Sequence, residues 1–231
     1  MRRSSRTVSD GRLVEVSGVA GAGKSTVTRA MCARSGFRRG PFIRARTPAD
    51  LLQLLRGLPR IMPIVTAGGL RTPRVSWREF KLLVYVTRWL PVLQRESRRN
   101  GGITLLDQGP IYALVRLRAE GKPFTTTPAF RRWSDDMLDM WTRELSAIVW
   151  LDARDDVLWG RINGRSQSHM TKGERDDEGY RFITHYRVSF EEVLHRIEAS
   201  DRPRVLRFDT ENTTPEQLAA TIRPLLTDDD A

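Results

Sequence analysis

The sequence is poor in cysteine and contains no long apolar segment, and both shortages limit what the protein can be. Cys32 is the only cysteine among 231 residues, which excludes an internal disulfide and argues against a structural zinc site. The most apolar stretch, residues 82–93, contains Arg88 and Pro91 and falls short of the ~18–20 residues that a membrane helix needs. No apolar segment follows the basic residues 1–6, so no signal peptide is indicated. Together these features predict a cytoplasmic protein.

Acidic residues are scarce before Asn100, whereas arginine is abundant there. The formal net charge is +11, and this first half supplies the excess. A basic half indicates an anionic partner such as a nucleotide, a phosphorylated substrate, a nucleic acid or an anionic membrane face. An arginine-rich solvated surface explains the charge equally well. The three histidines form no metal-ligand pattern, and none accompanies a serine or cysteine nucleophile in sequence.

A glycine-rich stretch near the start matches a phosphate-binding motif without a mismatch. Residues 18–25 read GVAGAGKS, which fits G-x-x-x-x-G-K-[ST], the P-loop. An alternating strand pattern precedes the motif and a helical pattern follows it, as the chemistry requires. Backbone amides and the helix N-terminus would then face a phosphate. The residues predicted to bind the nucleotide in this loop are Gly18, Ala20, Gly21, Ala22, Gly23, Lys24, Ser25 and Thr26.

Strand and helix patterns alternate along the rest of the chain. We predict a basic flexible leader at residues 1–10, one domain over 11–227 and an acidic tail at 228–231. Residues 59–74 carry three prolines and two adjacent glycines and predict an irregular connection. Ser76 and Glu79 predict a capping box at the start of a long helix. The strands are predicted at residues 13–17, 41–45, 103–106, 147–151 and 205–208.

This alternation predicts a parallel sheet with helices on both faces and ligands at the carboxyl ends of the strands. The P-loop, Arg46, Asp107, Asp152 and Asp209 each follow a predicted strand. We therefore expect them to share one edge of the sheet and to form one site.

The basic stretch 50–100 is predicted to be a helical insertion on the acceptor side. Its apolar residues could cover the acceptor site, form a homodimer face or contact a membrane surface. Packing over the sheet is the interpretation we favour. Its aromatic residues fall on a stripe typical of core, so stacking on nucleic-acid bases is not indicated.

The chain resembles the P-loop nucleoside and nucleotide kinases, which include the thymidylate kinases and deoxynucleoside kinases. Four stretches carry the resemblance: residues 18–26, 105–107, 148–165 and 208–210. The resemblance implies a three-layer α/β/α sandwich with a five-stranded parallel sheet in the order 2-3-1-4-5. It also implies ATP and Mg²⁺ as cofactors, and a small-molecule acceptor.

Two departures from these families leave the acceptor open. Deoxynucleoside kinases carry Glu-Arg-Ser after the third strand and thymidylate kinases carry Asp-Arg-Tyr, whereas this chain has Asp107, Gln108 and Gly109. After the second strand, residues 46–48 read Arg-Thr-Pro, similar to the Arg-Glu-Pro of thymidylate kinases without its glutamate. A nucleoside, a nucleotide, a sugar or another metabolite hydroxyl could accept the phosphate, and the acceptor could be anionic.

The predicted chemistry centres on one lysine and one carboxylate. Lys24 would neutralise the β- and γ-phosphates, and Ser25 would hold Mg²⁺. Asp107 would act as the general base or hold Mg²⁺ through water. Arg46, Asp107 and Gln108 are the candidates for acceptor binding. Asp152 is predicted to cap the helix that follows it.

A second set of predicted residues lies in the last third of the chain. Residues 161–179 resemble the arginine-bearing lid of these kinases, and Arg161, Arg165 and Arg175 could reach the transferred phosphate. Thr210 is predicted to lie near the adenine. The alternative function is a P-loop NTPase module that binds nucleic acid or an anionic membrane through its basic half.

Overall fold

The computed structural model describes residues 11–41, 52, 55–66, 75–164, 176–200 and 202–227. The strands are β1 (Arg12–Gly18), β2 (Phe37–Arg39), β3 (Ile103–Asp107), β4 (Leu145–Asp152) and β5 (Arg204–Asp209). The helices are α1 (Lys24–Cys32), α2 (Leu58–Thr66), α3 (Trp77–Arg88), α4 (Leu90–Asn100), α5 (Pro110–Ala119), α6 (Pro128–Glu144), α7 (Asp155–Asn163), α8 (Asp176–Glu198) and α9 (Pro215–Thr227).

The five strands form one sheet in the order β2-β3-β1-β4-β5, and every neighbouring pair is parallel. This confirms the predicted order and the predicted α/β class. β3 is buried along its whole length, as expected for a strand covered on both faces. The register places Val16 opposite Asp107 and Leu151 opposite Gly18, so the ends of the three central strands lie together.

Helices cover the sheet in the predicted three-layer arrangement. α1 contacts β1 and β3 and packs against α9, whereas α5 contacts β1 and packs against α8. The basic stretch contributes α2, α3 and α4, and its contacts include α2 with α6 and α3 with α5. Among the described helices, none combines the length and the apolar character that a bilayer crossing demands.

The second strand of the sheet is formed by residues that the sequence analysis did not select. β2 is Phe37–Arg39, directly after Gly36. Gly36 has a φ of 90°, and the chain pairs with β3 immediately after it. All but the first residue of the predicted strand 41–45 lies outside the described residues, as does Arg46.

Two further boundaries differ from the prediction. Residues 59–66, predicted to be irregular, belong to α2 despite Pro59 and Pro63. Pro59 sits in the first turn, where a helix needs no N–H donor, and buried Ile61 and Ile64 hold the helix to the body. α8 begins at Asp176, four residues before the predicted start.

The predicted capping box is present at the start of α3. The Ser76 side chain accepts a hydrogen bond from the Glu79 amide, and the Glu79 carboxylate accepts one from the Ser76 amide. Both partners satisfy backbone donors that a helix start leaves unpaired. The short-range pattern was therefore sufficient to locate this helix.

Candidate active site

The P-loop is a tight turn between the end of β1 and the start of α1. Gly21 and Gly23 have φ values of 87° and 82°, a region that side chains disfavour. A Cβ on Gly18 would lie 2.2 Å from the Leu151 carbonyl oxygen, and one on Gly21 would lie 2.7 Å from the Leu158 carbonyl oxygen. The loop is therefore held against β4 and α7, and glycine is required by both space and backbone angle.

The residues that follow the glycines are arranged for an anion. Lys24 is buried, and its Nζ donates to the carbonyl oxygens of Gly18 at 2.9 Å and Val19 at 2.8 Å. Ser25 and Thr26 are exposed in the first turn of α1, where the amides and the helix dipole attract negative charge. This end of α1 presents a cation, amides and a hydroxyl to one point.

Asp107 ends β3 beside the P-loop strand and is paired with an arginine that the sequence did not single out. Its side chain is 3% exposed, and Oδ2 accepts a hydrogen bond of 2.7 Å from Nη2 of Arg39. Oδ1 is buried and has no hydrogen-bond partner in the described part of the chain. Asp107 thus offers one oxygen held by a cation and one without such a partner.

Gln108 and Gly109 turn the chain from β3 into α5. Gln108 has a φ of 58°, the one positive value among described non-glycine residues. A side chain in this region costs energy and persists where the surroundings fix it. Gln108 is exposed, beside the buried carboxylate of Asp107. The turn therefore presents an amide side chain at the edge where an acceptor would bind.

Glu15 is a buried carboxylate beneath this turn, and the sequence analysis did not select it. It accepts hydrogen bonds from the amides of Ile111 at 2.9 Å and Tyr112 at 2.8 Å, and from the Ser17 hydroxyl at 2.7 Å. Burial raises the pKa of Glu15 to about 7, although the hydrogen bonds favour the ionised form. An acid inside an otherwise apolar strand was the available signal.

Arg161 is engaged by the loop that follows β5. Its Nη1 donates to the Thr210 hydroxyl at 2.9 Å, and its Nη2 donates to the Thr210 carbonyl oxygen at 2.7 Å. A cavity of about 380 Å³ separates this loop from the P-loop. The cavity is lined by residues that include Gly21, Thr26, Arg161, Thr210, Thr213 and Pro215. Thr210 and Arg161 both line this cavity, and the Arg161 guanidinium is held by the loop that contains Thr210. The adenine contact of Thr210 and the phosphate contact of Arg161 stay predictions.

Asp152 is held by an arginine and does not cap α7. Arg187 donates to its two oxygens at 2.7 and 3.1 Å and also contacts Asp155. The residue at the start of α7 is Arg154, which makes no side-chain cap. The predicted capping role of Asp152 is therefore wrong, because its carboxylate binds the guanidinium of Arg187 instead of the amides of α7.

Oxygen ligands for a divalent cation are present, although they form no cluster of three metal-ligating side chains among the described residues. The Ser25 hydroxyl is exposed at the start of α1, and Asp107 Oδ1 is a buried acceptor that lacks a partner in the described chain. Mg²⁺ keeps several waters and takes few protein ligands beside phosphate. The residues present therefore fit a phosphate-bound Mg²⁺.

Solved structures show which known architecture this arrangement matches. The deoxyadenosine kinase of M. mycoides with bound dATP is 14% identical, with a TM-score of 0.55 over 94% of this chain and 100% of the kinase. The thymidylate kinase of Candida albicans is 16% identical, with a TM-score of 0.54 over 94% of this chain and 91% of the kinase. The chain has the fold of the P-loop nucleoside and nucleotide kinases. No protein-family model matches the sequence, and the search of curated proteins found no match.

The kinase fold brings only some of the predicted residues together. The P-loop residues, Asp107 and Gln108 lie at the carboxyl edge of the sheet, and Thr210 and Arg161 lie across the cavity from the P-loop. Arg46, Arg165 and Arg175 are outside the described residues. Arg39 and Glu15 are additions, since their contacts join residues 68 and 96 positions apart.

Proposed function

We propose that the protein is an ATP- and Mg²⁺-dependent phosphotransferase that moves the γ-phosphate of ATP to a hydroxyl of a small-molecule acceptor. The observation that carries the proposal is the meeting of a complete P-loop with the buried carboxylate of Asp107 at one sheet edge. The kinase fold supports it, and one similar structure contains dATP while another contains the products dCMP and dCDP.

The P-loop and the first turn of α1 would hold the triphosphate. Loop amides bind phosphate oxygens, and Lys24 exchanges its carbonyl partners for them. Mg²⁺, held by Ser25, would supply positive charge to the β- and γ-phosphates. The cavity between the P-loop and Thr210 suits the adenine of ATP, and Arg161 holds the loop that forms its far wall.

Asp107 would receive the proton of the acceptor hydroxyl. Its unpartnered Oδ1 accepts the proton while the acceptor oxygen bonds to the γ-phosphorus and the bond to ADP breaks. Arg39 holds the other carboxylate oxygen and fixes its orientation. Gln108 and Arg46 are proposed to contact the acceptor, and Arg165 is proposed to neutralise charge on the moving phosphate.

One surface favours a second candidate function, ATP hydrolysis stimulated by an anionic membrane. Leu55, Met62 and Val65 are exposed on and beside α2, next to Arg56 and Arg60. Apolar side chains among arginines suit a membrane surface with anionic lipids. The main contacts of α2 are with α3 and α6 and not with the P-loop, so we rank this function second.

Acceptor-dependent ADP release tests the proposal. Nucleosides, nucleotides and sugars are offered with Mg·ATP, and each phosphorylated product is identified by mass spectrometry. We expect at least one acceptor to raise ADP release, and Asp107→Asn to reduce that turnover by on the order of 10²–10⁴.

Two controls separate the alternatives. Lys24→Met should remove all turnover, because it removes the cation beside the phosphates. Release of ADP on addition of anionic vesicles, without a phosphorylated product, would favour the second function. Full acceptor-dependent turnover in Asp107→Asn would exclude Asp107 as the base.

A further inference from the structure

Glu15 joins the strand that carries the P-loop to the turn that carries Asp107. It lies in β1, three residues before Gly18, and its carboxylate is completely buried. Its oxygens accept the amides of Ile111 and Tyr112, the first free donors of α5 after Pro110. The residue at the start of α5, Gly109, has no side chain to do this. The side chain of Glu15, which lies in β1, thus caps the start of α5.

The fit between Glu15 and the turn depends on the missing side chain of Gly109. A Cβ there would lie 2.6 Å from Oε2 of Glu15. Gly109 does not need glycine for its backbone angles, since its φ is −76°. The position therefore requires glycine for space alone, and the space is filled by the carboxylate.

The turn held in this way is the one that carries the predicted acceptor residues. Gln108, directly before Gly109, has a φ of 58°. Surroundings that over-determine the backbone are needed to keep a residue in that region. Glu15 supplies such a constraint close to Gln108, because it holds the amides of Ile111 and Tyr112 in the first turn of α5. Asp107 precedes the same turn.

We propose that Glu15 is a positioning residue that fixes the Asp107–Gln108–Gly109 turn relative to the P-loop, and that Gly109 is its obligatory partner. The inference rests on the proposed function. It names the residues that set the distance between the P-loop, which would bind ATP, and the turn that would bind the acceptor. Glu15 is not a catalytic residue, because its carboxylate is enclosed and bound by Ser17 and by backbone amides. Its action passes through the backbone of the turn.

The groups around the carboxylate agree with this role. The Ser17 hydroxyl donates to it from β1, and Tyr85 of α3 is the ionisable side chain whose pKa is raised by burial and further by this charge. The raised pKa of Glu15 reflects burial, and hydrogen bonds from backbone amides oppose the rise. The Tyr112 ring also lies 5.7 Å from Nζ of Lys24, which extends the connection to the P-loop lysine.

Two single variants and their combination test the proposal. Gly109→Ala places a methyl group against the carboxylate, and Glu15→Asp shortens the carboxylate by one methylene. We expect each to lower acceptor-dependent kcat on the order of 10–100-fold, because small displacements of reacting groups have effects of this size. The affinity for an ATP analogue, measured by calorimetry, should stay unchanged. In the double variant the shorter side chain makes room for the methyl, so the losses should be less than multiplicative.

The matched control is Leu226→Ala, a buried substitution at the end of α9 far from the turn. It lowers stability without moving the turn, so its kcat in the folded state should equal that of the wild type. Folding of every variant is checked by circular dichroism. If Gly109→Ala does not fold, Glu15→Gln, which keeps the size of the side chain, replaces it.

Hydrogen exchange of the Ile111 and Tyr112 amides gives a readout that needs no acceptor. Exchange should accelerate at these amides in the Glu15 variants and stay unchanged in Leu226→Ala. Unchanged exchange, folded variants with full kcat, or losses that multiply in the double variant would each overturn the proposal. A wild-type protein that transfers no phosphate would refute the proposed function, while the exchange data would still decide whether Glu15 holds the turn.

Discussion

At the scale of single residues, the pair formed by Arg39 and Asp107 invites a stability test. Asp107 is buried and Arg39 is about half exposed. Arg39→Met would leave the carboxylate without its cation, and we expect a loss of about 1–2 kcal/mol, below the value for a fully buried pair because water partly replaces the arginine. Urea unfolding measures this loss.

The neighbouring arginine provides the control for that substitution. Arg38 is similar in sequence position, but it donates to the Asn100 carbonyl oxygen and meets no carboxylate there. Arg38→Met should change the free energy of unfolding by no more than about 0.5 kcal/mol. Equal losses in the two variants would show that the ion pair of Arg39 with Asp107 adds no more to the free energy of unfolding than the hydrogen bond of Arg38.

Glu15 makes stability depend on pH. Burial raises its pKa from 4.5 to about 7, so the folded state binds more protons than the unfolded state between those values. The free energy of unfolding should therefore fall as pH rises through this window, by on the order of 3 kcal/mol from this group. Glu15→Gln removes the titration. Relative to the wild type, the variant should gain stability between about pH 5 and pH 8, as measured by urea unfolding.

The wild-type protein serves as the reference at each pH, so histidines and other groups cancel from the comparison. A difference in the free energy of unfolding that is the same at both pH values would contradict a raised pKa for Glu15. The sign of the pH dependence is informative by itself. If hydrogen bonds stabilised the ionised carboxylate more than burial destabilises it, the pKa would be lowered and the free energy of unfolding would rise with pH.

At the scale of elements, the link between α7 and the loop after β5 predicts how Arg161 acts. Its guanidinium holds the Thr210 hydroxyl and carbonyl oxygen. Arg161→Ala should therefore loosen the wall of the base cavity and raise the Kd for an ATP analogue by about tenfold, equivalent to roughly 1.4 kcal/mol. Calorimetry measures the Kd, and kcat at saturating ATP should change little.

The competing role for Arg161 has a different kinetic signature. An arginine that neutralises the moving phosphate would cost on the order of 10³-fold in kcat when removed. Arg181→Ala is the control, since Arg181 lies in α8 and is 82% exposed. A large fall in kcat with unchanged ATP affinity would restore the role suggested by the sequence.

Local patterns located most elements because their causes are local. The glycine loop, the capping box at Ser76 and the apolar strands β3 and β4 each carry their signal within a few residues. β2 was not selected because three residues give little periodicity, and its position depends on pairing with β3. α2 was missed because tertiary burial of Ile61 and Ile64 outweighs its prolines.

The candidate site was predictable only in part, for the same reason. Lys24 and Asp107 follow strands, and parallel strands bring their ends together. Arg39 and Glu15 matter through partners on distant strands and helices, and one sequence without a register does not reveal them. Arg161 was selected because it follows the fourth strand and its helix, as the lid arginines of the similar kinases do. Its contacts depend on where the loop with Thr210 lies, which the sequence does not reveal.

At the scale of the whole molecule, arginine serves as a structural cation as well as a surface charge. Arg187 joins α8 to Asp152 at the end of β4, and Arg207 of β5 joins Glu191 and Glu198 of α8. Arg118 joins α5 to Asp135 of α6. These arginines, all after Asn100, are neutralised by acidic partners and tie helices to one another and to the sheet. The excess of arginine before Asn100 is a separate feature of the molecule.

The order of the strands in the sheet conflicts with the order in which a ribosome makes them. β1 occupies the centre, yet its two neighbours begin only at Ile103 and Leu145. At about 5–20 residues per second, the nascent chain carries an apolar strand without a partner for several seconds. A strand edge left open is a site of aggregation. The P-loop is thus synthesised early but gains its neighbouring strands late. We expect the nascent chain to need chaperones during translation because of this topology.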